Sequence, residues 1–186
     1  MLKLSLTLLV SSVLGLVLLI GGYLVLAWPG TDDQLQLAGL KAPVIIQHDD
    51  AGVVHLQAAY RRDAWFALGA LHARERLWQL EINRRIAQGR LSELFGPSTL
   101  PTDRFLRSLD LQNLARKQLR GASPALNEQL QAYADGVNAW VGQMKFYPPE
   151  FLLLKAWSDA PYFEAYRPED AQAWSLVMAL DLGGNH

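Results

Sequence analysis

Few side chains in this sequence have the spacing to do chemistry on their own. His72 and Glu75 stand one helical turn apart in "HARERLWQLEINRRIAQGRLSELFG", residues 72–96. That spacing offers two metal ligands on one helix face. There is no second such pair and no H-E-x-x-H run, so no metal site is assigned, and His72 is expected to be structural, bonded to backbone or to a charged neighbour. Ser92, Ser98, Ser108, Ser123, Ser158 and Ser175 all lie outside any G-x-S-x-G context, the sharp turn that exposes a nucleophilic serine. His48 and His55 read as packing or surface residues. Asp49, Asp50 and Asp63 read as turn and cap residues. Trp65, Phe66, Trp78, Trp140 and Trp174 read as core aromatics. The chain has no cysteine, which excludes a disulfide framework, a thiolate metal site and a cysteine nucleophile. No catalytic residue emerges from its own motifs.

The elements that must position these residues are mostly helical. "APVIIQHDDAGVVHLQA" (42–58) has two β-rich runs, Val44–Gln47 and Val53–Gln57, around "DDAG", a hairpin signal. Arg62 to Leu94 reads as one long helix, with Gly89 as its weak point and Gly96-Pro97 as its stop. Thr102 or Asp103 is placed to cap a helix running to about Arg120. In "GASPALNEQLQAYADGVNAWVGQM", Ser123 is a candidate N-cap, with Pro124 at the first helical position. Leu126, Leu130, Tyr133, Val137, Trp140 and Met144 then make one apolar stripe. "PPEFLLLKAWSDAPYFEAY" is loop-like at both ends, and Pro168 opens a final helix.

The stretch 72–96 carries three glutamates and five arginines among large apolar residues. At 100° per residue, Leu71, Trp78, Ile82 and Ile86 form one apolar arc; Leu77, Leu80, Ala87, Leu91 and Leu94 form another, on roughly the opposite side. A surface helix needs only one. Two arcs imply contact on both sides, with the charges between them held by partners, because unpaired buried charge is costly; the other reading of the periodicity is a solvated helix with incidental charge. Glu81 has Arg84 and Arg85 at i+3 and i+4, the favourable order. Expressed alone, the chain is expected to leave one arc exposed.

The N-terminus directs the chain elsewhere. From Leu4 to Thr31 no residue is charged, and "LSLTLLVSSVLGLVLLIGGYLVLAW" can cross a hydrocarbon core of about 30 Å as a helix. Lys3 precedes it and Asp32 and Asp33 follow, so the N-terminus is expected to stay cytoplasmic and the remainder to be exported. Residues 1–30 read as a signal anchor or signal peptide; "LAWPG" makes a poor cleavage site, which favours an anchor embedded through residues 4–28. At 186 residues with a net charge of −1, the chain suits one domain plus this segment and does not invite nucleic acid.

Taken together, "HDDAGVVHLQA", "DAWFALGALHARERLWQLEINRRIAQGRLSELFG", "DRFLR", "YADGVNAW" and "YRPEDAQAW" resemble the penicillin acylase family of N-terminal-nucleophile hydrolases, which includes acyl-homoserine lactone acylases. The likeness covers residues 43 to 186, in the family's order and spacing, and corresponds to its α-chain region. It implies a precursor that cuts itself, exposing a serine at the start of a β-chain. That serine attacks an amide carbonyl with its own α-amine as base, while asparagine and backbone N–H groups stabilise the oxyanion. No cofactor is required.

The resemblance also implies that the nucleophile lies downstream of His186, that residues 31–186 are a partial α-chain region, and that "DLGGNH" falls within or just after the last helix of a longer precursor. The whole family fold is a four-layer αββα sandwich. This piece is expected to be mostly α with a short N-terminal β-hairpin (α+β), an arm wrapped around its own β-chain. Matching "RPEDAQAW" puts Ala179, Leu182 and Gly183 at the acyl-pocket lining, where penicillin G acylases carry Met, Arg and Phe. Small or aliphatic residues there leave room for a longer or different acyl chain. The implied substrate is a small acyl amide, the implied location the periplasm or the periplasmic face of the inner membrane. Several relatives hold a structural calcium through an α-chain glutamate just beyond this position. The other reading is a membrane-anchored helical binding or scaffold module without chemistry. A retained anchor predicts a membrane-bound product whose N-terminal peptides map to residues 1–30 by mass spectrometry; a soluble product beginning near Thr31 would overturn it.

Overall fold

A computed structural model describes residues 2–27, 36–155 and 163–183. Trp28 to Gly30, Asp32, Asp33, Ser158 and Asn185, which entered the sequence reading, lie outside the described residues. The chain runs α1 (Leu2–Ala27), β1 (Val44–His48), β2 (Val54–Ala58), α2 (Arg61–Gln88), α3 (Ser92–Phe95), a 3-10 turn (Gly96–Thr99), α4 (Leu100–Ser108), α5 (Leu111–Arg120), α6 (Pro124–Gln143), α7 (Pro149–Lys155) and α8 (Pro168–Gly183). It is mostly α with one two-stranded antiparallel hairpin, as expected. Within α1, Leu9–Ala27 is long and apolar enough to cross a membrane.

The hairpin pairs Val44 with Ala58 through His48 with Val54. Its turn is built by Asp49, whose Oδ1 accepts the N–H groups of Ala51 (3.0 Å) and Val53 (2.8 Å). The second strand starts at Val54, one residue later than expected, because Gly52 and Val53 both close hydrogen bonds back to Asp49. Asp63 lies in the first turn of α2 but caps a different segment. Its buried carboxylate accepts the N–H groups of Lys41 and Ala42 at 2.9–3.1 Å, tying the chain that enters the hairpin to the start of α2.

The core forms where α2 crosses α6, around Ala73, Leu77, Tyr133, Ala134, Val137, Phe151 and Tyr166. Full burial of side chains such as Leu77, Val137 and Phe151 contributes about 1.5–3 kcal/mol each. The crossing is close enough to need glycine. A Cβ on Gly69 would sit 2.1 Å from the Tyr133 carbonyl oxygen, and one on Gly136 would sit 1.9 Å from that of Phe66. The stripe read from α6 does face the core at Tyr133 and Val137, but Leu126 at its start is 40% exposed.

The long helix ends earlier than its periodicity indicates. α2 stops at Gln88, and Gly89 caps it in the left-handed region at φ 61°, donating its N–H to Arg85 and Ile86. A side chain at 89 would also strike Arg107 and Asp103, so local chemistry and tertiary contact both select glycine. The chain turns and restarts as α3. Asp103 does not cap its own helix: its carboxylate accepts the N–H groups of Leu91 and Ser92, each at 2.8 Å, and so caps α3 from α4. The expected single helix to Arg120 is two, α4 and α5, broken at Leu109–Asp110, where Asp110 adopts φ 49°. Ser123 does cap α6, accepting the Leu126 N–H at 3.2 Å.

Both arcs of α2 and its extension are covered from within the chain. Leu71, Leu77, Ala87 and Leu94 are buried and Trp78, Leu80, Ile82, Ile86 and Leu91 half-buried. The expected exposed arc is therefore absent, because α6 covers one flank while α4, α5 and α8 cover others. A Gly136→Ala substitution in the full-length protein is predicted to cost about 3 kcal/mol or more through forced separation of α2 and α6. Urea melts check this; a loss under about 1 kcal/mol would mean the helices move apart freely.

Candidate functional site

Five of the charged side chains of residues 72–96, Glu81, Arg84, Arg85, Arg90 and Glu93, join Glu164 in one cluster. Glu81 (1% exposed), Arg84 (2%) and Arg85 (0%) are among the fold's most buried side chains. Arg84 donates from Nε and Nη2 to Glu81 Oε2, while Arg85 Nε donates to Glu81 Oε1 at 2.5 Å. Arg85 Nη1 continues to Glu93 at 2.7 Å. Arg90 binds Glu93 on one side and Glu164 on the other, each at 2.7 Å, and Arg84 closes the loop on Glu164 at 3.4 Å. Glu164 comes from the segment preceding α8, whose neighbour Phe163 places its ring 5.2 Å from the Arg84 guanidinium.

The electrostatics follow this geometry. Hydrogen bonds from Arg90 hold the Glu164 carboxyl down at about 2. Arg90 likewise lowers Glu93, and Arg90 itself is held further into its charged form by Glu93 and Glu164. Burial lowers the His72 imidazole, and burial raises Tyr133 to about 12. His72 Nδ1 lies 2.9 Å from the Tyr133 hydroxyl, so this histidine is structural. Its partner is a tyrosine rather than backbone or charge. His48 lies 4.0 Å from Glu75, and His55 lies 3.0 Å from Asp49; both histidines are exposed.

A second polar node fixes α8. Asp170 accepts the Arg167 N–H (2.9 Å) and the side-chain amides of Gln88 (3.0 Å) and Gln112 (3.1 Å). One carboxylate thereby joins α2, α5 and α8, although burial raises it toward neutrality. Asn138 grips the approach to α8 at both ends: its amide donates to the Tyr166 carbonyl at 2.8 Å and its oxygen accepts the Tyr166 N–H at 2.7 Å. Beyond the node, Ala173 meets Ala87 and Ala115 in a buried three-helix contact. A polar cleft of about 340 Å³ opens beside the node, lined by Arg84, Arg90, Glu164 and Asp170 among others. These side chains are already committed to one another, and the cleft is the wrong environment for an apolar ligand.

The sequence-predicted site residues lie at the opposite end of α8. Ala179, Leu182 and Gly183 are spaced i, i+3 and i+4, which puts them on one side of the helix. All three are exposed, Leu182 to 72%. They are brought together, but among the described residues nothing encloses them. The hydroxyls of Ser98, Ser108 and Ser175 each donate to a carbonyl three residues back in their own turns, and none adjoins a base. Sequence reading missed Glu164, Asn138 and Asp170. Asn138 and Asp170 stood in the visible motifs "YADGVNAW" and "YRPED" and Glu164 in "YFEAY", but the partners that reveal them lie 28 to 82 residues away. Among the described residues no group of three or more His, Asp or Glu is arranged to hold a metal, so no calcium ligand is assigned.

The penicillin amidase family model matches residues 43–186, from the hairpin through the Asp170 node and beyond α8. The chain belongs to the penicillin amidase family. Penicillin acylase 2 proenzyme of Pseudomonas sp. (strain SE83) is 36% identical over 154 residues, 83% of this chain and 19% of that protein. Acyl-homoserine lactone acylase QuiP of Pseudomonas aeruginosa is 37% identical over 152 residues, 82% of this chain and 17% of its own length. The chain thus spans about a fifth of the length of these relatives. A thermostable penicillin G acylase from Alcaligenes faecalis has the same fold, with a TM-score of 0.66 over 77% of this chain and 76% of that one, at 23% identity. As a penicillin amidase family member, the chain is part of an acylase-type amidohydrolase lineage.

Two predictions follow from the ion cluster. Glu81→Ala leaves Arg84 and Arg85 buried without their shared acceptor and is expected to cost about 3–5 kcal/mol, read from urea midpoints; a loss below about 1 kcal/mol would mean water reaches the cluster. The depressed carboxyls set the acid limit. Glu164 is lowered in the fold from 4.5 to about 2, so its contribution is complete above pH 4.5 and lost as pH falls through about 2. Glu164→Gln should flatten that acid slope in melts across this window; an unchanged slope would assign acid sensitivity elsewhere.

Proposed function

We propose that this chain is the N-terminal part of an exported, self-processing amidohydrolase that removes an acyl group from a small amide, such as a penicillin side chain or an acyl-homoserine lactone. The chemistry sits in sequence that follows this arm. There a serine hydroxyl adds to the amide carbonyl, its own α-amine takes the proton and passes it to the nitrogen that leaves as the C–N bond breaks, and water then releases the acyl group from the ester as a carboxylic acid. The partners of residues 31–186 are then the chain's own β-chain and the acyl-amide substrate. Residues 1–30 serve as a signal anchor that leaves the remainder on the outer side of the inner membrane, facing the periplasm.

The observation that carries this reading is the contrast between the two ends of α8. Its first turns are locked by Asp170 and Ala173, whereas Met178, Leu180 and Leu182 at its end are 48%, 42% and 72% exposed. A rigidly held helix that presents bare aliphatic side chains is suited to form one wall of a site completed by another segment. Ala179, Leu182 and Gly183 would line the acyl side of that site. Small or aliphatic and uncharged, they suit a long apolar chain.

The test is expression of the full-length gene with its export segment, followed by intact mass and hydrolysis assays on amides of graded acyl length. Two fragments are expected, the larger beginning with serine. Leu182→Arg is expected to reduce kcat/KM for the longest acyl chains by about tenfold or more while sparing short ones, since a charge in an apolar pocket penalises burial of methylenes. A single uncut chain without hydrolysis would leave the anchored scaffold module in its place.

A further inference from the structure

Between Leu9 and Ile20 each large apolar side chain of α1 is more than half exposed. Contact with the helical body comes near the end of α1, at Tyr23. Its hydroxyl donates to the Tyr147 carbonyl at 2.5 Å, and its ring meets Phe146 edge-on, with centroids 6.2 Å apart. Tyr23 is four residues before the end of α1 at Ala27, about 6 Å along the helix axis. The corner between α6 and α7 is therefore held beside the last turn of a helix long enough to cross a bilayer.

This corner has a firm inner side and an apolar outer one. Tyr147 lies against Phe151 at 5.4 Å between centroids, and Phe151, 2% exposed, meets Trp78 of α2 edge-on at 5.3 Å. That aromatic stack fixes the corner's height relative to the core. On the outside, Phe146 is 41% exposed and Lys145 is exposed beside it. Aromatic rings and lysines are favoured at the boundary between headgroups and acyl chains, where a ring is half-desolvated and an ammonium meets lipid phosphate.

We infer that the α6–α7 corner is a membrane-contacting surface: with α1 across the bilayer, Phe146 enters the headgroup–acyl boundary of the exported leaflet and Lys145 faces lipid phosphate. The inference rests on reading α1 as a retained anchor. Two contacts then set the stance of the body on the membrane, the covalent tether of α1 and this corner. The bilayer is favoured over a protein partner as the occupant because Tyr23, which touches the corner directly, belongs to the spanning segment itself.

The test uses the full-length protein in vesicles of phosphatidylcholine and phosphatidylglycerol. A photoreactive benzoylphenylalanine replaces Phe146, or Leu16 within the anchor, or Phe105, which is 56% exposed on α4. Lipid adducts are read by mass spectrometry. The expected result is lipid adducts at 16 and 146, severalfold above those at 105, with the adduct at 146 falling when Tyr23→Phe removes the hydroxyl contact. Adducts at 16 with none at 146 would overturn the corner's role while leaving the anchor intact. Absence of adducts at both would overturn the anchor reading as well. Equal labelling at 105 and 146, or a protein adduct at 146 in place of lipid, would also overturn the inference.

Discussion

The fold depends on a carboxylate removed from water between two guanidinium groups. Glu81 is enclosed to 1% exposure with Arg84 and Arg85 on the same helix. Taking such ions out of water costs several kcal/mol each, which their attraction offsets only when remaining donors and acceptors are also satisfied. Arg85 therefore reaches to Glu93 and Arg84 to Glu164, although Arg85 Nη2 is buried without a hydrogen-bond partner among the described residues. Each outward step recruits another segment: Glu93 brings in α3, and Glu164 brings in the chain preceding α8. Once that chain is fixed, the start of α8 is fixed with it.

Close backbone approach does for the helices what the ions do for the segments between them. α2 and α6 meet through Gly69 and Gly136, where the facing carbonyls leave no volume for a Cβ. α2, α5 and α8 meet through Ala87, Ala115 and Ala173. Small residues at the α2–α5–α8 contact accompany the reach of the Gln88 and Gln112 amides to Asp170. A bulkier crossing would widen the gap and leave a buried carboxylate short of donors, which is costly. Steric and polar constraints are thus two aspects of one geometry.

The consequence for function is an uneven α8. Its first half is determined by contacts inside this chain, while its last turns are supported but bare. The family places the chain among acylase-type amidohydrolases, and the proposed acyl wall falls on that bare end rather than on the polar cleft at the other. The buried charges hold segments of this chain to one another. His72, the obvious candidate from spacing, is held by the Tyr133 hydroxyl, and the arginines by carboxylates.

Much of this was legible in one dimension. Hairpin, helices, the Ser123 cap and the apolar segment at the N-terminus follow from local rules: alternation, the 3.6-residue period, capping chemistry and hydrophobic length. Two apolar arcs around one helix, with charges between them, already pointed to burial and partnering, which the fold gives to Glu81, Arg84 and Arg85 but not to the exposed Glu75 and Arg76. The sequence by itself could not name the partners. Glu164 sits 80 residues from Arg84, Asp103 caps a helix other than its own, and Asp63 caps a segment 21 residues upstream. The end of α2 at Gln88 was blurred because the hydrophobic period continues to Leu94 while Gly89 turns the backbone. Local propensities act over a few residues and were readable. The pairing of buried charges and the approach of backbones at glycine depend on distances that exist only once the chain is folded, and those the tertiary structure alone decided.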